Sequence, residues 1–235
     1  PIEVGNTITG CVLTLHQMGI LAPKDEVRLH EMFMNGFVAR ANFTHIQRSS
    51  KQINRCIELA KMYALSRSPV ILYGECGTEK ELFAQAIHNN SARRNGPYVS
   101  VSCFESTGEH HAALLFGTDE PGSKNSAFYA ANFGTLYLSD IQNLTPQCQY
   151  RLLKAITQRS LMRNDISKSM SIDVRVIVSS EQELALSVQQ GTFNRELYYQ
   201  LQSLLLTIPP LRENPDEIQQ LTEKYLQSLM ERYSK

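Results

Sequence analysis

The chain has no tryptophan, no CxxC pair and no net charge, its 23 lysines and arginines balancing 23 aspartates and glutamates. That balance argues against bulk electrostatic attraction to nucleic acid or to an anionic membrane. The five cysteines, Cys11, Cys56, Cys76, Cys103 and Cys148, are scattered and odd in number. Such spacing argues against a disulfide framework and a zinc site, and suits a reducing cytoplasm. No apolar run reaches the ~18–20 residues of a membrane span. The opening PIEVGNTITG has neither a basic n-region nor an apolar h-region, so the expectation is a soluble, cytoplasmic protein with no membrane partner. Its abrupt start and finish give it the look of a piece of something longer. No internal repeat or low-complexity tract interrupts it.

What is present is enough apolar material for a sizeable core: 42% of 235 residues. Five short β-branched or aliphatic runs stand out: PVILYG (69–74), YVSVSC (98–103), GTLYLSD (134–140), DVRVIVSS (173–180) and SLLLTIP (203–209). The first, third and fifth are nearly continuous in apolar residues, as in strands covered on both faces. Between the runs lie helical patterns at 79–92, 145–161 and 181–202, with apolar residues at i, i+3, i+4 spacing. Thr145-Pro146 reads as a cap followed by a first-turn proline. Strands alternating with helices imply right-handed crossovers and a three-layer α/β/α domain with a parallel sheet. Before it, residues 7–16 read as a strand and 24–40 as a charged helical stretch. A helix follows, capped by Ser49 or Ser50, with Ile53, Cys56, Ile57, Ala60 and Ala64 on one face. Leu221–Met230 reads as an amphipathic helix.

The stretch SPVILYGECGTEKELFAQAI (68–87) raises a chemical question. A phosphate loop, G-x-x-x-x-G-K-[ST], presents backbone N–H groups and a helix N-terminus to the anion, a lysine to the terminal phosphates and a hydroxyl to magnesium. Gly74, Gly77 and Lys80 are in place, within a candidate set Gly74, Glu75, Cys76, Gly77, Thr78, Glu79, Lys80, Glu81 and Leu82. Glu79, however, stands at the last glycine and Glu81 at the hydroxyl. A carboxylate ~4 Å from a phosphate charge costs about 4 kcal/mol at an effective dielectric near 20. An outward swing relieves much of that, so weak binding of ATP or ADP is the expectation, with magnesium only alongside the nucleotide.

Together with LLFG (114–117), FYAANFGTLYLSDIQNLTPQCQYRLLKAI, FNRELYYQL and IPPLRENPDEI, this stretch resembles the AAA+ domain of bacterial enhancer-binding proteins, the activators of sigma-54 RNA polymerase. The resemblance covers about residues 43–235 and implies a five-stranded P-loop core at 43–210. It also implies the start of a helical lid at 211–235. Residues 1–42 resemble the end of a PAS-like sensory domain with its linker helix. The family hydrolyses ATP in a ring and remodels promoter complexes. Where it carries an Asp-Glu pair, this chain has Ser139 and Asp140, the latter a candidate base. The family's sensor residues fall on Ser180 and Glu181, and its arginine fingers on Asn194 and Gln200. Arg195 is one residue off, a turn of about 100° on a helix. The glycine near the adenine is replaced by Arg48, and TDEPGSKNSA (118–127) lacks the sigma-contacting motif.

These joint departures imply a pseudo-ATPase that relays signals and self-assembles, as a dimer or a ring. RNA polymerase or a sigma factor is the implied partner, and DNA only through a reader outside this chain. Two alternatives stand beside it: an active sigma-54 activator ATPase, and a ligand-free dimerisation scaffold. Lys80 reads as a phosphate contact or a solvated helix-end lysine, and Asp140 as a base or, more simply, a capping carboxylate. His110-His111 reads as a polar loop without usable metal partners. Cys76, near a helix start, is placed for thiolate character. Tyr198-Tyr199 reads as core and subunit-interface packing, and KDEVRLHE (24–31) as the solvated face of a linker helix.

Overall fold

In a computed structural model, residues 2–4, 7–10, 36–46, 50–104, 108–117, 126–161, 170–213 and 215–233 are described. The PAS-like reading beyond Gly10, the charged stretch 24–31, Arg48 and residues 118–125 lie outside them. The chain divides into two units, 1–36 and 37–235. In the first, strands β1 (Ile2–Val4) and β2 (Thr7–Gly10) pair antiparallel.

The second unit runs α1 (Phe43–Ile46), α2 (Lys51–Leu65), β3 (Val70–Tyr73), α3 (Lys80–Asn89), β4 (Tyr98–Ser102), α4 (Gly108–Phe116), α5 (Ala127–Ala130) and β5 (Thr135–Ser139). It continues through α6 (Pro146–Gln158), β6 (Ser160–Leu161), β7 (Met170–Ser171), β8 (Arg175–Ser180), α7 (Leu184–Gln189), α8 (Arg195–Leu201), β9 (Leu205–Thr207) and α9 (Pro215–Tyr233). The five expected runs are the five strands of one parallel sheet, in the order β4-β5-β8-β3-β9. β6 and β7 form a small antiparallel ribbon.

Alternation along the strands assigns each side chain to a layer. Ile71, Val99, Val101, Leu136, Leu138, Val176 and Val178 meet α4 to α8 on one face. Val70, Leu72, Tyr98, Tyr137 and Ile177 meet α1 to α3 on the other. The caps follow the sequence: Ser50 Oγ accepts from the Ile53 amide and Thr145 Oγ1 from that of Cys148. All five apolar residues expected on the inner face of α2 are buried.

Four expectations are corrected. The 181–202 pattern is two helices, α7 and α8, because Gly191 turns the chain at φ 74° and Asn194 starts a new helix. His110 and His111 belong to helix α4 rather than a loop, and His111 is buried. The fifth run is an edge strand, not one covered on both faces. Among the described residues β9 pairs only with β3, and Leu205 is half exposed, whereas all six residues of β8 are buried. Of the charged helical stretch read over 24–40, residues 37–40 carry no helix, and 24–35 lie outside the described residues.

Candidate phosphate-loop site

Parallel register sets the site. Tyr73 of β3 lies opposite Ser180 of β8 and Thr207 of β9, so three strands finish together and their exits share one end of the sheet. Ligand crevices of open α/β sheets lie at such carboxyl ends. The Gly74 amide donates to the Ser180 carbonyl, fastening the loop's first residue to β8. A Cβ at Gly74 would stand 2.6 Å from Thr78 Oγ1 and 3.0 Å from the Ile208 carbonyl oxygen, so glycine is required sterically. Thr78 closes the turn by donating from both its hydroxyl and its amide to the Glu75 carbonyl. Gly77 turns at φ 80°.

Glu79 then adopts φ 58°, ψ 32°, the left-handed conformation for which glycine is suited. The loop therefore keeps a phosphate loop's backbone shape while carrying a residue that pays roughly 1–2 kcal/mol for it. Lys80, the first residue of α3, has its side chain only 10% exposed. Its ammonium donates to the carbonyls of Gly74 and Glu75, both at 2.8 Å, and lies 3.9 Å from a Glu181 carboxylate oxygen. Cys76 is exposed and free. Glu81 is exposed in the first turn of α3, accepting from Gln85, while Leu82 packs against the core on the α2 side.

The remaining candidates do not converge on Lys80. Asp140 follows β5 at φ 55°, ahead of a 3-10 turn (Ile141–Asn143) for which its side chain makes no capping bond. Burial, aided by the Asp140 carboxylate, pushes the Cys103 thiol up to about 12. The Ser180 hydroxyl donates to the Gln182 carbonyl and accepts that residue's amide, closing a local turn. Asn194 caps α8 by accepting from the Leu197 amide. Arg195 is tied within α8, its Nε donating to the Tyr199 hydroxyl and its guanidinium 5.6 Å from that ring. Tyr198 packs on the core, whereas Tyr199 is half exposed.

Residues that the sequence reading passed over complete the site. Arg212 lies in the 3-10 turn before α9 and grips both carboxylate oxygens of Glu75, at 2.5 and 2.6 Å. That guanidinium holds the Glu75 carboxyl below the usual carboxylate range. A cleft of about 460 Å³ opens beside the loop, lined by Gln52, Arg55, Tyr73, Gly74, Glu75 and Pro210 among others. Arg55 carried a signal, being on the polar side of α2; Arg212 carried none, standing 137 residues from its partner.

Magnesium and the triphosphate can be tested against these side chains. Serine at 139 offers no anion, Asp140 makes no contact with Lys80 or Glu75 among the described residues, and Asn194 spends its amide on a cap. Ser139 and Asn194 thus bring no carboxylate to this end of the sheet. Among the described residues, no group of three His, Cys, Asp or Glu could hold a metal ion, and no helix is long and apolar enough to cross a membrane.

Comparison with known proteins agrees with this geometry. NtrX from Brucella abortus, solved in complex with ADP, superposes with a TM-score of 0.75 at 29% identity, covering 80% of this chain and 42% of that one. The PTS-dependent dihydroxyacetone kinase operon regulatory protein of Escherichia coli is 36% identical over 96% of this chain and 35% of its own length. The transcriptional activator RocR of Bacillus subtilis is 34% identical over 87% of this chain and 46% of its own. The chain thus spans between about a third and a half of the curated relatives it matches. The family model described as the sigma-54 interaction domain matches residues 46–207, the sheet and its helices from the end of α1 through β9, and the chain belongs to that family.

Proposed function

We propose that this chain is the central AAA+ module of a bacterial transcription regulator in which the ATPase has lapsed. In this reading it binds ATP or ADP weakly or not at all, does not hydrolyse it, and serves self-assembly and signal relay. One observation carries the reading: Glu79 holds the left-handed geometry of a phosphate-loop glycine, while Lys80 is engaged by two loop carbonyls and faces Glu181. The backbone of an anion site is retained, and carboxylates stand around it.

The positions that the family resemblance assigns to hydrolysis support the same reading. Ser139 is uncharged, and Asn194 works as a helix cap. An arginine finger contributes roughly 10³–10⁵ in rate where it is present. Arg195, one residue off the assigned position, bonds to Tyr199 of its own helix. The implied partners are further copies of this chain and RNA polymerase or a sigma factor; DNA would be read by a segment outside this chain.

Titration of fluorescent ATP and ADP against the protein, followed by a steady-state phosphate-release assay, tests the reading. The expected result is weak or undetectable binding and no release above background. Turnover that Lys80→Ala abolishes would overturn it in favour of an active sigma-54 activator ATPase. A loop with no nucleotide affinity, in a chain that still forms dimers, would leave the scaffold role alone.

A further inference from the structure

The same residue, Glu75, is held from two sides. Its carbonyl accepts from the ammonium of Lys80 at 2.8 Å, and its carboxylate takes the Arg212 fork through two hydrogen bonds. Adjacent strands explain why these three groups meet. Tyr73 and Thr207 are paired, and the Ile208 amide donates to the Tyr73 carbonyl. Glu75 lies two residues beyond the first strand and Arg212 five beyond the second. Pro209 and Pro210, with φ fixed by their rings, direct the second exit across the loop. The Glu213 amide then closes a turn on the Pro210 carbonyl, and α9 begins at Pro215.

We infer that Lys80, Glu75 and Arg212 form a relay through which the conformation of the phosphate loop is reported to helix α9. A planar guanidinium bonded to both carboxylate oxygens fixes direction as well as distance. Displacement of the Glu75 peptide therefore moves the arginine and the turn that leads into α9. The side chains of Arg212 and Glu75 are 66% and 52% exposed, so the contact is weak enough to break and reform. Exposure also makes it sensitive to salt. Lys80 sets the inner end: while its ammonium holds the Gly74 and Glu75 carbonyls, the peptide is locked and the outer contact is in register. This device needs neither nucleotide nor hydrolysis, so it stands apart from the pseudo-ATPase reading.

Amide hydrogen exchange on the whole chain, without nucleotide, tests it. Glu75→Gln and Arg212→Gln are each expected to speed exchange across residues 211–225 by roughly two- to fivefold, the range an exposed ion pair supports. The charge exchange Glu75→Arg with Arg212→Glu is expected to restore the slower rate. Lys80→Met, at a side chain whose bonds go to Gly74 and Glu75 with Glu181 nearby, is expected to speed exchange there as well. Because coupling is reciprocal, Arg212→Gln should also speed exchange at 74–80. Unchanged exchange at 211–225 in the Glu75 and Arg212 variants would overturn the relay. So would a Lys80→Met variant whose exchange rises only within its own loop. Detection of ATP turnover would sink the functional reading and leave this one intact.

Discussion

The phosphate-loop end of the sheet and the opposite end treat buried polar groups differently. At the opposite end, charged and polar side chains hold elements together. Arg175, 2% exposed on the central strand β8, donates to the carbonyls of Tyr63, Ala64 and Ser68 and thereby closes the C-terminus of α2. His88 meets the Thr135 hydroxyl at 2.9 Å, and Arg93 pairs with Asp173. On the loop side of the sheet, beyond the end of β5, Gln149 likewise joins α6 to the α7–α8 turn, donating to the carbonyls of Leu144 and Thr192 and accepting the Asn194 amide. At the loop end Glu79 and Asp140 sit in left-handed conformations without a side-chain capping bond, and Phe133, ahead of β5 at the other end, is left-handed too at φ 61°. The contacts at the opposite end bind elements to one another, whereas the loop end holds Glu79 in a left-handed conformation beside the ammonium of Lys80, which two loop carbonyls engage.

The largest test of that contrast is Arg175→Leu. It removes a buried guanidinium that donates to three carbonyls, one of them buried, and should cost about 3 kcal/mol or more in urea unfolding. A loss below about 1 kcal/mol would break the comparison by making the network incidental.

Next comes pH. Burial, with Arg175 nearby, holds the His88 imidazole down to about 4. The folded value lies below the ordinary ~6.5, so the unfolded chain takes up the proton first as pH falls. Stability is therefore full above about pH 6.5 and is lost between there and about 4, by about 2 kcal/mol at pH 5. Equal urea midpoints at pH 7 and pH 5 would contradict it.

At the loop, Glu79→Gly should relieve left-handed strain and raise stability by about 1 kcal/mol. Combined with Ser139→Asp it should also improve nucleotide binding in the fluorescence titration. No gain in either would count against the alignment of this loop with a phosphate loop.

The smallest effect is expected at His111, which is 1% exposed with neither ring nitrogen hydrogen-bonded. Removing an unsatisfied buried group with His111→Leu should raise the urea midpoint, equivalent to about 1 kcal/mol. A fall would mean that the ring has a partner worth more than its desolvation.

Much of this architecture was legible. The five runs became strands within two residues at each end, because β-branched runs bounded by glycine, proline or serine carry their own punctuation. Ser50 and Thr145 announced their helices through cap chemistry that acts over three residues. The loop could be placed from Gly74, Gly77 and Lys80 because strand, turn and helix are contiguous there. Legibility failed where the deciding contact was distant. Leu205 looked like a core residue until β9 took the edge, and the polar serines of β8 concealed the most buried strand. Gly191 did offer a local signal for the break between α7 and α8, but helical periodicity on both sides masked it. His111 gave no sign that a helix would carry it inward.

Local order in this protein is written in the chain itself, since propensity, capping and a glycine's steric freedom act between residues a few positions apart. Strand neighbours and charge partners were settled only by the folded sheet. Which strand lies at the edge, and which guanidinium reaches Glu75, depend on free energies summed over segments more than a hundred residues apart, which no window of sequence contains.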